Sequence, residues 1–111
     1  MPDRFSASVR SDDGVPVIEL EGEIDAGAET ELLAAWSQAS TDADRVVLDF
    51  ARTSYINSTG LALIVQVLAR ARADRCQVHA FGLSDHYREI FQITRLSDFV
   101  TLHEDRAAAV A

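Results

Sequence analysis

Val46-Val47-Leu48-Asp49-Phe50 is a short, β-branched and nearly continuous apolar run. A half-buried strand alternates apolar with polar residues, and this one does not. It reads as a central strand covered on both faces, which places the chain among sheets layered with helices.

The flanking segments fit that frame. Phe5, Ala7 and Val9 alternate with polar residues as a first strand. Ser11-Asp12-Asp13-Gly14 is a turn signal, and Val15 to Leu20 reads as the second strand of a hairpin. Glu19, Glu21 and Glu23 share one parity and are expected on a wet face. Gly22 to Gly27 should break the strand, with Asp25 as a candidate cap for a helix from Ala28 to Ser40, whose stripe is Leu32, Trp36 and Ala39. A second helix is expected from Thr59 to Ala73, with Leu61, Ile64, Val65 and Leu68 inward and Leu63 and Val67 turned toward a neighbouring helix. Cys76 to Phe81 reads as a strand ended by Gly82. Ser84 should cap a third helix that presents Tyr87, Ile90, Phe91 and Thr94 on one face. Phe99 to Leu102 and Glu104 to Val110 complete the order as strand and helix. The expected fold is α/β: one domain over residues 1–111, a mixed four- to five-stranded sheet opening on an antiparallel hairpin, and about four helices.

Composition narrows the function. The 111 residues carry a net charge of −8, and all ten basic residues are arginine. Without lysine there can be no P-loop lysine and no Schiff base. The acidic balance argues against nucleic acid, which needs a basic face. Charge is uneven, because residues 1–31 hold nine acids against two arginines, a net −7. A single cysteine, Cys76, allows no internal disulfide and reads as an inert buried thiol. No signal-peptide run or membrane-length apolar stretch is present, so a soluble cytoplasmic protein without direct membrane association is expected, as a monomer or weak dimer. His79, His86 and His103 lack metal-ligand spacing, and neither metal nor cofactor is expected.

One segment could carry chemistry. Asn57-Ser58-Thr59-Gly60-Leu61 follows the buried strand and opens the apolar helix. Small polar residues there cap free backbone N–H groups, and that role alone would account for them. The same position would also suit a phosphate on Ser58, held at the positive end of a helix dipole. Thr59 is a second hydroxyl whose simpler role is bonding within the first turn. Gly60 would permit either close approach of a partner or tight packing inside the domain. A hydrolytic Ser58 is disfavoured, since Gly-x-Ser-x-Gly is absent and no base is assigned to it.

At these residues the chain resembles the STAS domain of bacterial anti-sigma factor antagonists. Gly22-Glu23-Ile24-Asp25 is similar to the family's Gly-x-(Leu/Ile)-Asp. Val46 to Phe50 is similar to its core strand, and Asn57 to Leu61 to its Asp-Ser-(Ser/Thr)-Gly-Leu phosphorylation segment. Leu96 and Phe99 fall where a Gly-Leu segment and a Phe close the third helix. The resemblance implies an antagonist that binds an anti-sigma factor, itself an ATP-using serine kinase, and so frees the sigma factor. Phosphorylation at Ser58 would switch binding off, and a serine phosphatase would restore it. Asp25, Asn57, Ser58, Thr59 and Gly60 would form the partner-binding rim, with no catalysis in this chain. The other role such domains fill is a constitutive adaptor subunit in a lipid-transport or sensory complex. Two positions depart from the pattern. The family's acid before the serine is Asn57, which can cap but carries no charge, and its glycine after the third helix is Arg95. A non-glycine at Arg95 implies a helix that ends differently there.

Overall fold

The computed structural model describes residues 4–111. In chain order the elements are β1 (Ser6–Asp12), β2 (Val15–Ile24), α1 (Glu29–Ser40), β3 (Arg45–Ile56), α2 (Ser58–Ala73), β4 (Gln77–Phe81), α3 (Asp85–Ile93), β5 (Thr101–His103) and α4 (Arg106–Val110). Single 3₁₀ turns at Ala26–Ala28 and Leu96–Asp98 precede α1 and β5. The sheet order is β1-β2-β3-β4-β5, with β1 antiparallel to β2 and every other pair parallel. The α/β class, the mixed sheet, the opening hairpin and the four helices match the expectation. Asp13 (φ 52) and Gly14 (φ 81) form the two-residue hairpin turn, and this pair of positive φ values matches the twist of the strands.

The two faces of the sheet are covered unequally. Ile18, Leu20, Val46, Leu48, Phe50 and Ala80 pack with Leu32, Trp36, Ile64, Leu68 and Phe91, so α1, α2 and α3 share one face. On the other face Val17, Val47 and Phe81 meet Ala109 of the short α4. This accounts for the unbroken apolar run in β3: even positions point to three helices, and Val47 points to the fourth. Asp49 lies on that second face and is 7% exposed. Its carboxylate accepts from the Arg106 guanidinium at 3.2 Å and from the Ala51 backbone N–H at 2.9 Å. Arg106 also reaches Glu19 at 3.3 Å and lies over the Phe81 ring at 5.6 Å. Glu19 is therefore half-buried beside α4, where a fully wet face was expected. Burial alone would raise its pKa, but hydrogen bonds from Arg10 and Arg106 outweigh this and lower it.

Two strands run further than their apolar segments. β2 continues through Ile24 and β3 through Ile56, whereas the sequence suggested ends at Leu20 and Phe50. Beyond Asp49 the β2–β3 register shifts twice, so β3 accommodates two extra residues. The extension carries Arg52, Ser54 and Tyr55 into solvent, and no apolar alternation marks it.

The buried face of α2 is Gly60, Leu63, Ile64, Val67, Leu68 and Ala71. Leu63 and Val67 are thus core, Leu61 is half-buried and Val65 is 47% exposed, contrary to expectation. A helix apolar nearly all round has no stripe to set its rotation, and here the contact of Gly60 with β2 sets it. Trp36 is core as expected, and Cys76 is a buried free thiol whose pKa is raised by burial and then by Asp74 and Asp44. Arg95 adopts φ 66, ψ 16, so α3 ends through a left-handed residue despite the missing glycine. The expected strand from Phe99 is Thr101–His103, with Phe99 exposed beneath Arg72 at 5.5 Å. The last helix starts at Arg106, two residues later than expected, behind an Asp105 cap. His79 and His103 pair across β4 and β5, with Nδ1 and Nε2 2.8 Å apart and their rings stacked.

Candidate functional site

The extended ends of β2 and β3 position the loops of interest. Ile24 stands opposite Ile56 in the parallel register, so Asp25 and Asn57 leave the sheet from neighbouring points. The Asn57 N–H donates to the Ile24 carbonyl at 3.2 Å and joins the two exits. Residues 32 positions apart in sequence thereby share one rim.

Each loop is fixed by its own cap. The Asp25 side chain accepts from the Gly27 N–H at 2.9 Å, and its carbonyl accepts from Ala28 at 3.0 Å. Asp25 therefore caps the 3₁₀ turn before α1, one step removed from the direct helix cap expected of it. Asn57 is the N-cap of α2: its Oδ1 accepts from the Gly60 N–H at 2.8 Å. This leaves Ser58 and Thr59, the first two helical residues, exposed on the first turn. The serine hydroxyl stands at the positive end of a 16-residue helix, where backbone N–H groups favour an added anion.

Gly60 resolves one of the alternatives open at the sequence level. It is buried, and a Cβ there would stand 2.0 Å from the Ile24 carbonyl oxygen. Its bareness lets the start of α2 press on the end of β2. Gly60 thus acts inside the domain, and it bears on the rim by holding Ser58 close to the Asp25 loop.

Tyr87 was not singled out as part of the site. β4 pairs with β3 only as far as Asp49, so among the described residues the end of β3 has no strand on that side. The Tyr87 hydroxyl fills the gap, accepting from the Ile56 N–H at 2.9 Å and donating to the Ile56 carbonyl at 3.4 Å. The available signal was chemical: a tyrosine on an apolar helix face needs a partner for its hydroxyl. Among the described residues no group of three or more His, Cys, Asp or Glu could hold a metal ion. No helix among them is long and apolar enough to cross a membrane.

Comparisons with known proteins agree with this architecture. The family model described as "Mlab, STAS domain" matches residues 7–102. BtrV of Bordetella bronchiseptica, provisionally named an anti-sigma factor antagonist, is 33% identical over 101 residues, covering 89% of this chain and 86% of that protein. The anti-sigma-B factor antagonist of Listeria monocytogenes is 33% identical over 86 residues, covering 77% of this chain and 75% of its own. In fold, the chain is similar to an anti-sigma factor antagonist from Mycobacterium paratuberculosis, with a TM-score of 0.82, 22% identity, and 99% and 94% of the two chains covered. With a matching family model over most of its length and relatives of this similarity, the chain belongs to the STAS domain family.

Proposed function

We propose that this protein is an anti-sigma factor antagonist of the partner-switching type. Unphosphorylated, it binds an anti-sigma factor that is also an ATP-using serine kinase, and the sigma factor is released. The rim built from Asp25, Asn57, Ser58 and Thr59, held in place by Gly60, is the binding surface, and Ser58 is the phosphoacceptor. The chain acts in the cytoplasm as one domain, as substrate and ligand, and a serine phosphatase resets it. The observation that carries this reading is the exposed Ser58 on the first turn of α2, with Asn57 supplying the cap. The serine is free for modification because the cap does not depend on it. A phosphate would add about −1.5 to −2 charges on that rim while the helix end still tolerates it. Support also comes from the names of the two relatives above, both anti-sigma factor antagonists.

The test is intact-mass analysis after incubation with the partner kinase and ATP. One phosphate should appear on the wild type and none on Ser58→Ala; equal addition to both, or none to either, refutes the assignment. Ser58→Asp should weaken kinase binding by roughly 1–3 kcal/mol, the scale of one like-charge or desolvation penalty at an interface. A constitutive adaptor role in a lipid-transport or sensory complex is the second reading, favoured by Asn57, which removes the family's acid beside the serine. Pull-downs recovering transporter ATPase subunits instead of a kinase would select it.

A further inference from the structure

Among the described residues β1 ends the sheet on the hairpin side, and one row of its backbone groups has no neighbouring strand. The hairpin determines which row. Its two-residue turn makes Asp12 and Val15 a hydrogen-bonded pair. Alternation gives the remaining bonds with β2 to Arg10, Ser8 and Ser6, opposite Val17, Glu19 and Glu21. Ser11 and Pro16 fall between them, which suits a residue without an N–H. The N–H and C=O groups of Ala7, Val9 and Ser11 therefore point out of the sheet edge. Of the usual edge defences Ser6–Asp12 lacks a bulge, a proline and a lysine; its two charged residues are Arg10, paired with Glu19, and Asp12, paired with Arg106.

We propose that β1 is a self-association edge, where a second copy of this chain pairs antiparallel about a two-fold axis at Val9. In that register Val9 faces its own counterpart, Ala7 faces Ser11, Ser8 faces Arg10 and Ser6 faces Asp12. Every outward N–H meets a C=O, and all seven residues of β1 are used. No like charges face each other. Moving the register one pair toward the turn would set Arg10 against Arg10, which is repulsive. Ala7 and Val9 are half-buried on the face shared with α1, so the added strand would extend that apolar layer. The net −7 over residues 1–31 opposes approach of a second copy. Association is therefore weak and tightens as salt screens the repulsion. This edge is separate from Ser58, so the inference stands whether or not that residue is phosphorylated.

Sedimentation equilibrium of the full chain tests the claim. A monomer–dimer equilibrium is expected, with affinity rising about threefold to tenfold between about 50 mM and about 500 mM salt. Val9→Pro removes an outward N–H used by no bond to β2, and should weaken the dimer at least about tenfold with unchanged circular dichroism. Cross-linking gives a readout that does not depend on that variant folding. Facing Cα atoms in a hydrogen-bonded pair lie about 5.5 Å apart, within disulfide reach. Under oxidation Val9→Cys should couple to itself at least about tenfold faster than Ala7→Cys. A mixture of Ala7→Cys and Ser11→Cys should couple to each other. A chain that stays monomeric to about 1 mM, a dimer that weakens with salt, or equal coupling rates for Val9→Cys and Ala7→Cys would overturn the proposal.

Discussion

Gly60→Ala is the sharpest test of how the rim is held. The added methyl would meet the Ile24 carbonyl oxygen at 2.0 Å, its carbon at 2.7 Å and the Ile24 Cγ2 at 3.1 Å. Two of these are backbone atoms, so no rotamer change relieves the clash. Reaching the 3.0 Å that Cβ contacts respect requires the start of α2 to move about 1 Å from β2. The same oxygen accepts the Asn57 N–H at 3.2 Å, so that bond lengthens or breaks. Overpacking of this kind costs about 1–3 kcal/mol, with about 1 kcal/mol more for the weakened bond. Alanine returns up to about 1 kcal/mol of helix propensity. The net expectation is a loss of about 2 kcal/mol, or roughly 10 °C in Tm for a chain of this size. Urea denaturation followed by far-ultraviolet circular dichroism measures it: the midpoint should fall with little change in slope. Partner binding should weaken as well, because Ser58 moves with the helix end. A Gly60→Ala variant as stable as wild type would refute the claim that this contact sets the position and rotation of α2.

Three other outcomes follow from the same geometry. Asn57→Ala should cost about 1 kcal/mol by leaving the Gly60 N–H without its cap, while Asn57→Asp should keep the cap and add a favourable charge at the helix start; urea midpoints distinguish them. Arg95→Gly should stabilise the fold by roughly 1 kcal/mol, since Arg95 sits at φ 66 and its bond to Asp98 is exposed; a lower thermal midpoint would contradict this. Burial, then the charge of Arg45 and then His103, lower the His79 pKa from its ordinary 6.5, so the folded state favours the neutral ring. Its contribution is complete above pH 6.5 and is lost as pH falls through the depressed folded value, so His79→Gln should flatten the decline in urea midpoint below that pH; an unchanged slope would refute it.

Legibility in the sequence followed the strength of each local signal. The Asp13-Gly14 turn, the Ser84 cap and the Val46 to Phe50 strand each have a short-range physical cause, and each was found where expected. The far end of β3 was missed because its polar extension past the register shifts lacks an apolar period, and that of β2 because Gly22 reads as a break although the alternation of Leu20 and Ile24 with Glu21 and Glu23 continues. The rotation of α2 was misjudged because Leu61, Leu63, Ile64, Val65, Val67 and Leu68 offer several equivalent stripes. Arg95 shows that a strained φ is tolerated when the surrounding chain imposes it.

By itself the sequence determined the α/β class, the element order, and the caps at Ser84 and at the start of the second helix. All of these follow from spacing within a few residues. Tertiary structure supplied the cause of the rim that the resemblance implied for Asp25 and Asn57: the Ile24–Ile56 register between parallel strands joined by a long crossover. It alone assigned Gly60 to the contact with Ile24, Tyr87 to the unpaired end of β3, and Arg106 to the buried Asp49. Each of these joins groups that are distant in sequence. Their partners are chosen by which backbone or buried charge the packed sheet leaves unsatisfied, and that choice exists only once the sheet has formed.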